Sequence, residues 1–132
     1  MSIFDNPNFK LIDRVVGKAS ISVTKTGVGF SKQTIAKLNY PHYVQIFINL
    51  IDKKFAIRPC EENDRNSIKF VNSKKTRVDA VRWNNAEFTK EVNMLVDEKK
   101  FEKGYKVDGD YLPEENALIF DFNEAYPIDD NE

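Results

Sequence analysis

A long alternation of apolar and polar residues constrains the fold of this chain more than any other feature of its sequence. In YVQIFINLI, residues 43–51, the apolar residues Val44, Ile46, Ile48 and Leu50 follow one another at intervals of two. Alternation with this period over such a length predicts a half-buried β-strand, with these side chains on one face. The chain is therefore expected to build part of its core from sheet.

The residues that follow predict a β-hairpin. Asp52 and Lys53 favour a turn, and KFAIRP then places Phe55 and Ile57 on the core side of a returning strand. Pro59 is expected to end this second strand, because proline cannot donate a hydrogen bond to a sheet.

The segment before this hairpin predicts a shorter pair of strands and a helix. ASISVTKTGVGF is typical of a strand, a tight turn at Thr26 and Gly27, and a short second strand. Ser31 is expected to be the N-cap of the helix SKQTIAKL, whose buried side carries Ile35 and Leu38.

The second half of the chain predicts a similar series of elements. The acidic loop CEENDRN is followed by two predicted strands, SIKFV and KKTRVDAVRW. Asn84 fits the N-cap of the helix NNAEFTKEVNMLVDEKK, with Glu87 in the capping-box position three residues later. KGYKVDGDYLP and NALIFDF then form another hairpin, joined by a turn at PEEN.

Together these elements predict an α+β fold of antiparallel β-hairpins with two helices, in a single domain that spans residues 1–132. The two halves, about residues 19–72 and 73–124, share the order strand, aromatic residue, polar cap, helix and hairpin, which indicates a pseudo-repeat. Residues 125–132 form an acidic tail that is expected to be flexible.

The charges of the chain are unevenly distributed. The formal net charge is −1, but residues 14–90 carry fifteen Lys and Arg against six Asp and Glu, whereas residues 91–132 carry four against thirteen. Such asymmetry indicates a polyanionic partner for the basic part. It is also compatible with attraction between the two parts, within one molecule or across a homodimer, which is the simpler explanation.

Two glycines, Gly27 and Gly29, lie just before the first predicted helix, where phosphate-binding loops are found. A Walker A loop requires Gly-Lys-Ser/Thr, which is absent, and the dinucleotide fingerprint requires a third glycine where Lys32 stands. The glycines are therefore expected to provide the positive φ angles of a turn. Non-specific phosphate contact by Lys25 and Lys32 remains an alternative.

The same region resembles the AbrB/MazE class of swapped-hairpin DNA-binding domains. The resemblance covers residues 22–59, SVTKTGVGFSKQTIAKLNYPHYVQIFINLIDKKFAIRP, in the order strand, glycine turn, short helix, strand and return strand. Val28 and the pair Phe30-Ser31 stand where that family usually has an arginine and a proline. The resemblance implies binding of DNA.

Residues that could support catalysis or bind a metal are few. His42 is the only histidine and Cys60 the only cysteine, and a zinc site would need three or four suitable ligands. Glu61, Glu62 and Asp64 fit a solvated loop better than a calcium loop. The sequence therefore predicts a protein that is not an enzyme and has no cofactor or metal.

Basic residues provide the strongest functional signal. The predicted nucleic-acid-binding residues are Lys69, Lys74, Lys75, Arg77, Arg82, Lys25 and Lys32. Basic side chains pair with phosphates, and an aromatic ring such as that of Trp83 can stack on an exposed base. The alternatives are a solvated sheet edge for the lysines and a core position for Trp83.

We therefore expect a small non-enzymatic binding protein, of bacterial or phage type, that contacts nucleic acid. The alternative is a protein–protein adaptor or inhibitor that uses the acidic residues Asp108, Asp110, Glu114 and Glu115. The sequence contains no membrane-spanning run or signal peptide, and a single cysteine excludes an internal disulfide, so a cytoplasmic location is expected. A homodimer is a further candidate assembly, since the uneven charges could attract one another between two copies.

Overall fold

A computed structural model describes residues 8, 18–71, 81–96 and 103–128, and these form an antiparallel β-sheet with two α-helices. The strands are β1 (Ser20–Thr24), β2 (Gly27–Phe30), β3 (Tyr43–Asn49), β4 (Lys54–Cys60), β5 (Ile68–Lys69), β6 (Val81–Trp83), β7 (Tyr105–Leu112), β8 (Ala117–Asp121) and β9 (Tyr126–Pro127). The helices are α1 (Lys32–Lys37) and α2 (Ala86–Asn93), and a 3₁₀ turn follows β8 at Phe122–Glu124. The α+β class predicted from the sequence is confirmed.

The sheet curls on itself. Its strand order is β5-β3-β4-β8-β7-β1-β2-β6, with β9 paired to the first residues of β7. Phe70, which follows β5, lies 5.8 Å from Trp83 of β6 and 5.1 Å from Phe30 of β2, measured between ring centroids. These edge-to-face contacts join the two ends of the strand order through side chains, so the sheet forms a half-barrel around one core.

The predicted β3–β4 hairpin is confirmed, with corrections at two residues. Val44, Phe55 and Ile57 are fully buried. Leu50, predicted to lie on the core face, is instead in the turn and 47% exposed. The strand ends before Leu50 because the side chain of Asn49 closes a turn. Its Oδ1 accepts hydrogen bonds from the backbone N–H groups of Ile51 and Asp52.

Pro59 does not end β4, which continues to Cys60. Pro59 pairs with Val44 of β3, while the pairing of β4 with β8 stops at Ile57. Proline is tolerated at this position because none of the described strands pairs with it on the β8 side. Cys60, predicted to be in a loop, is therefore the last residue of a strand.

The predicted β1–β2 pair and the first helix are confirmed. The Ser31 side chain accepts a hydrogen bond from the Thr34 N–H, and Ile35 and Leu38 are buried. The backbone N–H of Ser20 lies 3.0 Å from both Ser31 Oγ and Thr34 Oγ1. This network fixes the start of α1 against the start of β1.

The prediction that Gly27 and Gly29 provide the positive φ angles of a turn was wrong. Both glycines lie within β2, and neither has a positive φ angle. The turn consists of Lys25 and Thr26, whereas a positive φ of 113° occurs at Gly104. Glycine is needed at position 27 for a different reason, because the backbone at the end of β6 lies too close to Gly27 to leave room for a side chain.

The second half confirms a helix and a hairpin. Helix α2 is capped by Asn85 rather than Asn84, since Asn85 Oδ1 accepts from the N–H groups of Glu87 and Phe88. Glu87 is therefore not in a capping-box position. Strands β7 and β8 pair as predicted around the turn at residues 113–116.

Several predictions fall partly outside the described residues. Only residues 81–83 of the predicted strand KKTRVDAVRW are described. Helix α2 ends at Asn93, earlier than predicted, because the N–H groups of Leu95 and Val96 bond to carbonyls three residues back and close a turn instead of continuing the helix. Residues 97–100 of the predicted helix lie outside the described range. Within the tail, Tyr126 and Pro127 pair with β7 as β9, while residues 129–132 lie outside the described range. The pseudo-repeat stays a prediction. Among the described helices, none is long and apolar enough to cross a membrane.

Candidate nucleic-acid interface

Arg82 is held across the end of the β1–β2 hairpin. It lies in β6, opposite Gly29 of β2. Its Nη2 donates to Thr24 Oγ1 at 2.9 Å and to Thr26 Oγ1 at 2.8 Å, and its Nε donates to Asn84 Oδ1 at 3.1 Å. These bonds fix the guanidinium while Nη1 takes part in none of them. Nη1 can therefore donate to a ligand.

The local sequence explains this arrangement. Thr24 ends β1 and Thr26 lies in the turn, and their hydroxyl oxygens are 3.2 Å apart. The backbone N–H of Thr26 also donates to Thr24 Oγ1 at 3.3 Å. The threonines on either side of Lys25 thus present two hydroxyl oxygens side by side. Both oxygens can accept from the same guanidinium nitrogen, Arg82 Nη2, which carries two hydrogens.

Gly27 allows β6 to approach the hairpin. A Cβ atom on Gly27 would collide with the backbone carbonyl of Trp83 and lie 2.8 Å from Asn84 Oδ1. Contacts this short do not occur for real Cβ atoms, so any side chain at this position would displace β6. The absence of a side chain at Gly27 therefore positions both Asn84 and Arg82.

The structure brings only part of the predicted basic set together. Lys25 is exposed in the turn between the two threonines that hold Arg82. Lys32 is exposed at the start of α1, beyond the other end of β2. We call Thr24, Lys25, Thr26, Arg82 and Asn84 the hairpin-tip site.

The remaining basic candidates do not join this site in the described structure. Lys69 is exposed in β5 and pairs with Tyr43, whose hydroxyl donates to Glu62 at 2.8 Å. This bond raises the pKa of Tyr43. Lys69 lies in β5, near the opposite end of the strand order from Arg82. The other predicted residues, Lys74, Lys75 and Arg77, lie outside the described residues.

Trp83 belongs to an aromatic cluster of the core. Its ring lies 4.8 Å from that of Phe30, 5.1 Å from that of Phe88 and 5.8 Å from that of Phe70. All three contacts are edge-to-face, an arrangement that stabilises packed aromatic rings. The geometry favours the core interpretation of Trp83 over base stacking.

The acidic candidates lie along β7 and in the turn that follows it. Asp108 accepts a hydrogen bond from the Tyr126 hydroxyl at 2.9 Å, and burial together with this carboxylate raises the pKa of Tyr126. Asp110 lies 3.5 Å from Lys18 Nζ, and both side chains are largely exposed, so solvent weakens this ion pair. Glu114 and Glu115 are exposed in the turn.

The hairpin-tip site and the acidic turn occupy opposite ends of β7. Val23, next to the site, pairs with Tyr105 at the start of β7, whereas Leu112 at its end leads directly into the acidic turn. An eight-residue strand spans about 23 Å at roughly 3.3 Å per residue. The cations of the tip and the carboxylates of the turn therefore do not neutralise each other by contact.

An open cavity of about 310 Å³ lies at the acidic end. It is lined by Gln45, Arg58, Pro59, Cys60, Asp64, Glu115 and Asn116. Burial, followed by the charge of Asp64, raises the pKa of the Cys60 thiol, which opposes formation of a nucleophilic thiolate. Within the described residues, no group of three His, Cys, Asp or Glu side chains could bind a metal ion.

Sequence reasoning missed Thr24, Thr26 and Asn84 as parts of the site. The two threonines resemble ordinary strand and turn residues, and Asn84 resembles a helix cap. Only the pairing of β2 with β6, far apart in the sequence, shows that all three surround Arg82.

Comparisons with known proteins add no relative. No protein-family model matches this sequence, and neither a curated protein nor a solved structure is significantly similar to it. The resemblance to the AbrB/MazE class therefore stays a prediction.

Proposed function

We propose that this chain is a small non-enzymatic, cytoplasmic protein that binds nucleic acid through the hairpin-tip site. The observation that supports the proposal is the fixed guanidinium of Arg82 beside the exposed Lys25. A guanidinium held in place by its own protein loses less conformational freedom when it binds a phosphate than a mobile one does. The site is thus prepared for an anion before the ligand arrives.

The chemistry of the site favours phosphate groups over bases. Arg82 Nη1 and Lys25 Nζ are donors, and the threonine hydroxyls already accept from Arg82. Contacts to phosphates position a protein on nucleic acid without reading its sequence. We therefore expect binding that depends weakly on sequence and strongly on salt.

The other basic residues extend this proposal beyond the site. Lys32 is exposed at the start of α1, which directly follows β2, the strand that pairs with the Arg82 strand β6. Lys69, Lys74, Lys75 and Arg77 precede β6 in the chain and are candidates for further phosphate contacts. A preference for duplex DNA is what the AbrB/MazE resemblance implies.

Replacing Arg82 by glutamine should weaken binding of nucleic acid. Removing one phosphate contact is expected to lower the slope of log K against log salt by about 0.9 for duplex DNA. Near 50 mM salt, the loss should amount to about threefold to tenfold in affinity, as for one charge-assisted contact. Fluorescence anisotropy with labelled single- and double-stranded DNA and RNA measures both quantities.

The matched control is Arg65→Gln, which removes the same charge from an exposed residue in the loop between β4 and β5. This variant should keep nearly the affinity and the salt slope of the wild type. Its only expected effect is the long-range effect of net charge, which salt screens and which is smaller than the loss of a direct phosphate contact. Equal losses in both variants would show that only net charge matters. No binding by the wild type at low salt would contradict the proposal outright.

A second candidate function is adaptor binding through the acidic end. The observation that favours it is that the cavity near Cys60 is bordered by carboxylates of two loops, Asp64 and Glu115. A cationic segment of another protein would fit this surface. Titration of ¹⁵N-labelled protein with a lysine-rich peptide would test this function, since changes in backbone amide shifts should then concentrate at residues 61–66 and 113–116.

A further inference from the structure

Strand β3 has an open edge along most of its length. On one side it pairs with β4 over residues 43–49, but on the other side β5 reaches only Tyr43 and Val44. The N–H of Phe70 donates to the His42 carbonyl at 2.8 Å, so His42 faces the β5 side. In an antiparallel strand, alternate residues face the same neighbour. The backbone N–H and C=O groups of Ile46 and Ile48 therefore point to this edge, where the described residues supply no backbone partner.

This edge lacks the features that normally prevent strand addition. From Tyr43 to Ile51 the sequence contains no charged residue and no proline. Native sheets usually protect such edges with lysine, proline, a bulge or a very short strand. Large apolar side chains are also exposed along the edge and at its end: Phe47 by 47%, Leu50 by 47% and Ile51 by 90%.

We propose that the β3 edge is a homodimer interface, in which β3 of a second copy of this chain adds in the antiparallel direction. A second copy fits this edge because β3 is complementary to itself. Antiparallel pairing centred on Phe47 places Ile46 of each copy opposite Ile48 of the other, and these are the residues whose backbone groups face outward. Each isoleucine would then donate and accept a backbone hydrogen bond across the interface.

The same register matches the surfaces beside the strand. The added β3 turns away after Asn49, where β5 of the first copy begins, so the two strands do not compete for Val44. The exposed Leu50 and Ile51 of each copy come alongside Tyr43 and β5 of the other, where Ile68 is 37% exposed. Apolar side chains at both ends of the paired strands would thus be covered.

Charge complementarity favours the same partner. Residues 50–54, at the turn that carries Leu50 and Ile51, have a net charge of +1 from Lys53 and Lys54 against Asp52, whereas residues 61–65 have a net charge of −2. In the proposed register the turn of one copy would approach this acidic loop of the other. That loop lies beside the open edge, because Gln45 Nε2 donates to the Arg65 carbonyl at 2.7 Å.

Opposite charges at the centre of the interface provide the test. Phe47 would lie opposite itself at the twofold axis, so Phe47→Lys and Phe47→Glu should each place like charges together. Sedimentation equilibrium of the wild type should show reversible dimers at concentrations of about 1–200 µM, the range of modest affinities. Either variant alone should raise the dimer dissociation constant at least about tenfold, and an equal mixture of the two should dimerise again.

The mixture guards against misfolding, since two unfolded variants would not restore a dimer. Met94→Lys is the matched control, because Met94 is 56% exposed after α2, away from β3, and its change should leave the dimer intact. A wild type that stays monomeric throughout overturns the proposal, as does a dimer that survives Phe47→Lys. The interface is separate from the hairpin-tip site, so its failure would not affect the proposed binding of nucleic acid.

Discussion

Gly27→Ala is expected to lower the free energy of unfolding by about 2 kcal/mol or more, as for overpacking against an unyielding neighbour. The added methyl group would meet the Trp83 carbonyl and the Asn84 Cα atom, the second at 3.3 Å. Both belong to backbone, which cannot rotate away as a flexible side chain can. Strand β6 must therefore shift from β2, and the bonds that hold Arg82 would loosen. Urea denaturation followed by circular dichroism measures the loss.

Gly29→Ala is the matched control in the same strand. A Cβ atom at Gly29 would lie 3.6 Å from Arg82 Nη1 and 3.9 Å from the Ser22 carbonyl, which are ordinary van der Waals distances. Because alanine restricts the unfolded chain more than glycine, stability should be unchanged or higher by up to about 1 kcal/mol. Similar losses in both variants would contradict the close approach of β6 at Gly27.

Phe55→Ala is expected to cost about 3–5 kcal/mol of stability, the usual range for removing a fully buried phenylalanine. Phe55 is completely buried in β4, and its ring lies 5.9 Å from that of Phe120 and 6.1 Å from that of Phe88. It thereby joins the sheet to α2 at the centre of the core. The truncation leaves a cavity that neighbours anchored in strands can fill only partly.

The control for this prediction is Met94→Ala, which truncates an apolar side chain that is 56% exposed. Its effect should lie within about 0.5 kcal/mol, as for most surface substitutions. Unfolding midpoints in urea distinguish the two variants readily. Comparable stability of Phe55→Ala and the wild type would show that the curled sheet does not pack around Phe55.

Local patterns in the sequence predicted most of the elements. The alternation in β3 and β4, the Ser31 cap and the turn between β7 and β8 each depend on residues close together in the chain. The cap of α2 was predicted wrongly, because a long-range contact occupies the predicted residue. Asn84 accepts a hydrogen bond from Arg82, and Asn85 caps α2 instead.

The candidate site was less predictable because it depends on pairing between distant strands. The basic character of Arg82 and Lys25 is visible in the sequence, but the bonds that fix Arg82 join β6 to the β1–β2 turn across more than fifty positions. The role of Gly27 was misjudged for the same reason, since only the passage of β6 reveals why a side chain is excluded. Positive φ angles and close approach both select glycine, and the sequence alone does not separate them.

The open edge of β3 could not be predicted from the local sequence pattern, although the strand itself was predicted correctly. Alternation identified the strand and its buried face, but the number of its neighbours depends on how far β5 extends. Among the described residues, the two-residue β5 leaves the backbone groups of Ile46 and Ile48 without a strand partner, although the side chains of both pack against the core.

The central claim, that nucleic acid binds at the hairpin-tip site, is tested most directly by mapping the contact. Backbone amide signals of ¹⁵N-labelled protein would be followed by NMR during titration with a short DNA duplex or single strand. If Arg82 and Lys25 bind the phosphates, shift changes should concentrate at residues 24–27 and 82–84. Changes confined to the acidic loops at residues 61–66 and 113–116, or no changes at saturating nucleic acid, would contradict it.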